Sequence, residues 1–208
     1  MPFRYGCFIS YCRGEGQLMA PFIDDLEKAL DGYLEPYFPQ PRVFRDKKDM
    51  NAGDLLDPSI ADALCHSVCM VAIYVPRYED RDYCRQEFFA MQRLERSRMR
   101  ALGNMLIATH GFIIPLLLRG REEDLPDEIR GRIYADFTKY TTVTGRIAKK
   151  PEYAARLDVI ANYIHMLHQA LKQKQLDACT ECAGFSLPPP QQFVHFLPIS
   201  PVSQLIPR

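Results

Sequence analysis

The sequence carries no excess charge of either sign, because 26 Lys and Arg stand against 26 Asp and Glu. Without net charge there is no long-range basic field to hold nucleic acid or an anionic membrane, so neither is an expected partner. A local pocket for a small anionic ligand stays open. Long apolar runs are also missing. No segment reaches the ~18 uninterrupted apolar residues that span a bilayer. The run Phe112 to Leu118 has the length of a buried strand. The opening MPFRYGCFISY lacks the extended apolar stretch and small-residue cleavage site of a secretory leader, which points to a cytoplasmic chain. There is no internal repeat of the kind that marks a solenoid. The stretch RGEG at 13–16 lacks the third glycine of a dinucleotide fingerprint and reads as a loop near a ligand.

What is present suffices for one compact domain and a tail. The 208 residues are 47% hydrophobic and 25% charged, enough to build a core and too apolar for a disordered chain. Seven cysteines (7, 12, 65, 69, 84, 179 and 182) lie mostly in apolar segments and read as reduced thiols used as small core residues. Apolar runs at Tyr5 to Tyr11, Arg42 to Asp46, Val68 to Pro76 and Gly111 to Arg119 read as buried strands. A fifth, Tyr134 to Tyr140, is weaker and more polar. Helical patterns alternate with them. Pro21 to Leu34 carries Phe22, Ile23, Leu26, Leu30 and Tyr33 at helical spacing. Asp57 to Ser67 has Asp57 as N-cap and Pro58 at the first helical position. Arg81 to Arg100 is amphipathic, with a basic outer face formed by Arg93, Arg96, Arg98 and Arg100. Pro151 to Leu176 aligns Leu157, Ile160, Ile164 and Leu167 on one stripe.

This alternation predicts an α/β, flavodoxin-like, doubly wound five-stranded parallel sheet with helices on both faces. Ligands of such sheets bind outside the carboxyl ends of the strands, near the switch point. The residues to inspect are therefore those following each strand: Cys12 to Gly16, Asp46 to Asp54, and Arg77 to Glu87. The expected domain covers residues 1–176. Residues 177–208 are proline-rich and read as an extended tail. Phe193, Phe196, Leu197 and Ile206 suggest that this tail packs on the domain or on a partner.

The strand ends also carry a resemblance. Phe8-Ile9-Ser10-Tyr11 followed by Arg13 resembles the first box of the TIR (Toll/interleukin-1 receptor) domain family. Val43-Phe44-Arg45-Asp46, with Lys47 to Asp54 behind it, resembles the second strand and BB loop of that family. Ser59 to Tyr78 is similar to the helix and strand that follow. Tyr83-Cys84-Arg85-Gln86-Glu87 matches the aromatic-Cys-x-x-Glu signature of its NAD+-cleaving members. The four boxes run in order over roughly residues 5 to 170, the span of a single domain.

The resemblance implies cleavage of the nicotinamide–ribose bond, with Glu87 as the catalytic carboxylate and NAD+ as substrate rather than cofactor. Tyr11, Arg13, Asp46, Asn51, Gly53 and Tyr83 fall where the family lines its pocket. The family often has Trp where Tyr83 stands and an acid where Asn51 stands. It further implies homo-oligomers formed through TIR–TIR contacts. In antiphage systems of the Thoeris kind, a cyclic ADP-ribose product signals to a separately encoded effector. The residue types suit this chemistry. A cationic pyridinium leaves as a neutral base, so no general acid is needed, and one carboxylate beneath the ribose stabilises the oxocarbenium-like transition state. Glu87 and Tyr83 lie at i, i+4 on one helix face, where an aromatic can cover nicotinamide or ribose. Arg13 suits a diphosphate.

Blander readings stand beside these. Glu87 alone is an ordinary solvated helical acid, Arg13 a surface charge, Asp46 a turn residue and Tyr83 a packing residue. The basic helix face, interleaved with Glu95, reads as solvated rather than as a nucleic-acid patch. His165, His168, Cys179 and Cys182 have the spacing of four zinc ligands, but a helical His pair and a lone CxxC are weak signals and no metal is expected. Three other functions compete with the NAD+-cleaving enzyme. They are a non-catalytic adaptor acting by homotypic assembly, a secreted effector that disturbs host signalling, and a nucleotide-processing base transferase.

Overall fold

The computed structural model describes residues 3–12, 19–39, 42–45, 56–103, 111–140, 151–176 and 182–194. The chain alternates strand and helix: β1 Tyr5–Tyr11, α1 Met19–Leu34, β2 Val43–Phe44, α2 Leu56–Cys65, β3 Ser67–Tyr74, α3 Asp82–Leu102, β4 Ile113–Leu117, α4 Asp127–Arg130, β5 Ala135–Asp136 and α5 Pro151–Gln173. The five strands form one sheet in the order β2-β1-β3-β4-β5, and every pairing is parallel. This is the doubly wound, flavodoxin-like arrangement that the alternation predicts. All eight residues of β3 are buried, as a central strand covered on both faces requires.

Alternation along the strands sorts the core into two layers. Cys7 and Ile9 of β1, Val71 and Ile73 of β3, and Ile114 and Leu116 of β4 pack with Phe22, Leu26 and Leu30 of α1 and Leu157, Ile164 and Leu167 of α5. Phe8 of β1, Met70 and Ala72 of β3, and Ile113 and Leu117 of β4 face the other way. They meet Ile60 and Leu64 of α2 and Phe88, Met91 and Leu94 of α3. Side chains of period two on the strands and 3.6 on the helices leave each helix one stripe to bury.

Boundaries differ from the sequence expectation in instructive ways. α2 begins at Leu56, which places Asp57 inside the first turn, where its charge favours the helix N-terminus. α3 runs two residues beyond Arg100 and stops at Gly103, whose φ of 62° only glycine adopts without strain. β2 and β5, the two edges, shrink to two paired residues each.

Two expectations are corrected. Arg98 does not belong to the exposed basic face of α3, because it is fully buried, whereas Arg93, Arg96 and Arg100 are exposed. Its guanidinium donates to the carbonyls of Cys65, Ser67 and Val68 at 2.8–2.9 Å. It thereby caps the end of α2 and lies over the rings of Phe3 and Phe112. The reading of every cysteine as a reduced thiol also fails. Cys7, Cys12, Cys69 and Cys84 are buried thiols, but Cys65 and Cys182 form a disulfide. The returning tail brings their Cα atoms to 5.6 Å, inside the range a disulfide spans. Cys182 therefore has no thiolate to give a metal. His165 and His168 stack instead on Tyr37 and Phe38, and Cys179 lies outside the described residues.

Residues 182–194 of the tail pack on the domain. Phe193 is buried against Phe88, Phe89 and Tyr78. Phe196, Leu197 and Ile206 lie outside the described residues.

Candidate active site

In the order β2-β1-β3-β4-β5, the connections leave β1 toward one edge and return through β3 toward the other. The carboxyl ends of β1 and β3 are therefore the switch point at which such sheets open a crevice. Three polar side chains meet at this place. Ser10, next to last in β1, occupies the α3-facing row, where Phe8 precedes it. Tyr78 closes the 3-10 turn Pro76–Tyr78 that follows β3. Glu87 projects from the second turn of α3.

Ser10 Oγ donates to Glu87 Oε2 at 2.5 Å and lies 2.7 Å from Tyr78 Oη. A serine hydroxyl has one proton to give. With that proton directed at the carboxylate, the phenol must donate to Ser10, and the chain runs Tyr78 to Ser10 to Glu87. Such directed chains polarise one another and gain strength. Burial pushes the Tyr78 phenol well above its ordinary pKa, helped by the nearby Cys84 and Glu87, so the phenol keeps the proton this chain needs. Glu87 itself is only 4% exposed. That disposes of its blander reading as a solvated helical acid.

The entrance to α3 is held separately. Arg85 is buried and bonds the Asp82 carboxylate and the Glu79 carbonyl, which fixes the turn just before Glu87. Cys12 Sγ reaches the Arg77 carbonyl at 3.5 Å and ties the end of β1 to the same turn.

The remaining expected site residues divide. Tyr83 is 46% exposed at the first turn of α3, so the face it shares with Glu87 runs from solvent into the interior. Tyr11 ends β1 on the opposite side from Ser10, where it packs partly against the α1 and α5 layer. Its surroundings include Arg45, which pairs with Asp24 and Glu27 of α1. Arg13, Asp46, Asn51 and Gly53 lie outside the described residues.

A match to the TIR domain family model spans residues 7–148, more than half of the chain. The chain belongs to the TIR domain family. Members of this family act in signalling, assemble with their own kind and include NAD+-cleaving enzymes, so membership alone leaves the choice between enzyme and adaptor to the site. A search of the curated proteins finds no match. Among the described residues, no helix of this TIR domain is long and apolar enough to cross a membrane.

Sequence reasoning missed Ser10 and Tyr78 as partners of Glu87. A signal existed for Ser10, since a serine in a strand otherwise buried on both faces must find a polar partner. None existed for Tyr78, whose approach depends on the turn after β3. A separate groove of about 980 Å3 is lined by Met99, Ile113, Ile160, Tyr163 and the ion pair Glu95–Arg132. It lies toward the amino end of β4, two turns along α3 from Glu87, and takes no part in this site.

Proposed function

We propose that this TIR domain cleaves NAD+ between nicotinamide and ribose, with Glu87 as the catalytic carboxylate. The observation that carries the reading is a buried carboxylate at the β1/β3 switch point, oriented by the Ser10 hydroxyl. Burying a carboxylate is costly even when it is hydrogen-bonded, and an apolar residue there would stabilise the fold at least as well. A carboxylate kept at that cost in a ligand-binding crevice is what electrostatic catalysis requires.

In the reaction the N-glycosidic bond breaks and its electron pair leaves with the nicotinamide nitrogen. The ribose carbon becomes cationic, and Glu87 stabilises that charge. Water then adds and releases a proton, giving ADP-ribose, or an adenine nitrogen of the same molecule adds and gives a cyclic isomer. Tyr83, exposed at the rim, is available to cover the nicotinamide. By the family resemblance, Arg13 would meet the diphosphate, and Tyr11, Asp46, Asn51 and Gly53 would line the pocket. Assembly of several copies and a cyclic nucleotide signal to an effector in antiviral defence complete this reading.

The test is product analysis. Concentrated wild-type protein and its Glu87→Gln variant are incubated with NAD+, and products are separated by liquid chromatography with mass detection. Glutamine keeps an oxygen for the Ser10 proton, so the variant is expected to fold. It should lose nicotinamide release by about 100-fold or more, the size of one lost transition-state charge contact. Equal release by both proteins, or none by the wild type across a wide concentration range, overturns the proposal and favours an adaptor working through homotypic assembly.

A further inference from the structure

We infer that the tail segment 182–194 is a strap that positions Glu87, and that Phe193 acts on the carboxylate through Tyr78 and Phe88. This deepens the functional reading above and rests on it for its kinetic readout.

The strap is fixed at both ends and in the middle. Its start is bonded covalently to the end of α2 by the Cys65–Cys182 disulfide. The Phe185 ring lies under the Arg93 guanidinium on α3. Halfway along, the side-chain amide of Gln86 donates to the Pro188 carbonyl at 3.1 Å. At the far end the Val194 carbonyl accepts from the Asp127 amide at 2.9 Å, and the Val194 amide donates to the Glu128 carboxylate at 3.2 Å. The chain thus runs along α3 to the start of α4.

Its contacts bracket Glu87 in sequence and in space. Gln86 precedes Glu87, and Phe88 and Phe89 follow it. The Phe193 ring lies 5.0 Å from Phe88 and 5.3 Å from Phe89. It also lies 6.3 Å from Tyr78, whose hydroxyl begins the chain of hydrogen bonds to Glu87. Tyr78 and Phe88 are both fully buried, and Phe193 is one of the residues that cover them. Removing the ring opens a gap behind the phenol. Tyr78 then gains room to move and water to bond, and both loosen its donation to Ser10. Phe193 acts through the Tyr78 and Phe88 rings, so it is a positioning residue.

The experiment compares wild type, Phe193→Ala and Cys182→Ser as full-length chains, with two readouts. Steady-state NAD+ cleavage is measured per folded molecule, well below the melting temperature. Backbone hydrogen exchange is followed in the peptide covering Tyr78 to Phe89. Because Glu87 stabilises the transition state, Phe193→Ala should lower kcat at least tenfold and leave KM within threefold. Exchange in the Tyr78–Phe89 peptide should quicken at least tenfold. Cys182→Ser, which frees the start of the strap without touching the aromatic cluster, should move both readouts the same way by a smaller factor. If Phe193→Ala does not fold, Cys182→Ser decides alone. A folded variant with wild-type kcat and wild-type exchange overturns the strap. Absence of nicotinamide release by the wild type defeats the NAD+ reading only, and the exchange rates then decide the strap by themselves.

Discussion

Replacing Arg98 by methionine tests whether a buried charge can stabilise this domain. Among the described residues the guanidinium donates to three carbonyls, those of Cys65, Ser67 and Val68. Bonds from a charged donor contribute ~1.5–3 kcal/mol each, which bounds the loss at roughly 5–9 kcal/mol. The charge is also fully buried, and releasing it from that burial returns several kcal/mol. Methionine retains an apolar stem against Phe3 and Phe112, so little packing is lost. The balance is a destabilisation of roughly 3 kcal/mol, because three carbonyls are left without their donor at the junction of α2 and β3. For a chain of this length that corresponds to a fall in Tm of roughly 6–12 °C in a calorimetric or circular-dichroism melt. Arg98→Lys should fall between the two, since an ammonium can reach some of the carbonyls but not span all three. A methionine variant that melts with or above the wild type would refute the reasoning, because desolvation would then outweigh the three bonds.

Gly111→Ala should destabilise by about 1–3 kcal/mol, because the new Cβ would lie 2.6 Å from both Arg132 Nη1 and Glu95 Oε1 and push apart a partly buried ion pair; an unchanged melting temperature would contradict this. His168 has its pKa lowered by burial first, then by His165 and Lys172. The unfolded chain therefore binds its proton more readily than the fold does. Stability is complete above the ordinary histidine value of ~6.5 and declines as pH falls through the lowered one. Melting curves taken across that window should show a shallower decline for His168→Gln, and identical slopes would remove His168 from the acid response.

The layer order of this fold is legible because it depends on short-range pattern. Apolar runs of strand length alternate with amphipathic stretches, and all five strands and the four long helices fall where that pattern puts them. The misread residues are those whose partners lie far away in sequence. Arg98 was grouped with exposed arginines by composition, yet its position was readable: Phe88, Met91, Leu94, Arg98 and Leu102 form one helical stripe, and the other four are buried apolar residues. Its partners, carbonyls some thirty residues earlier, were not readable. The Cys65–Cys182 pairing closes over 117 residues and depends on where the tail returns. The local signature singles out Glu87, but its buried hydrogen bond depends on Ser10, 77 positions earlier.

Burial of a polar group does not by itself mark function here, and three such groups differ in where they sit on the sheet. Arg98 is spent on main-chain carbonyls at the start of β3. Glu95 is spent on a two-bonded pair with Arg132 and on the Phe112 amide, just before β4 begins. Both sit at the amino edge of the sheet and join neighbouring elements, which is the work of structural polar groups. Glu87 sits at the opposite edge, where β1 and β3 end and the strand order reverses. Its Ser10 partner is a side chain near the end of β1, and the bond orients the carboxylate between β1 and α3. Arg98 and Glu95 at the amino edge complete the fold, whereas under the proposed reading Glu87 lies at the edge where such a topology takes its ligand. Location relative to the sheet, more than burial alone, is therefore what separates Glu87 from Arg98 and Glu95.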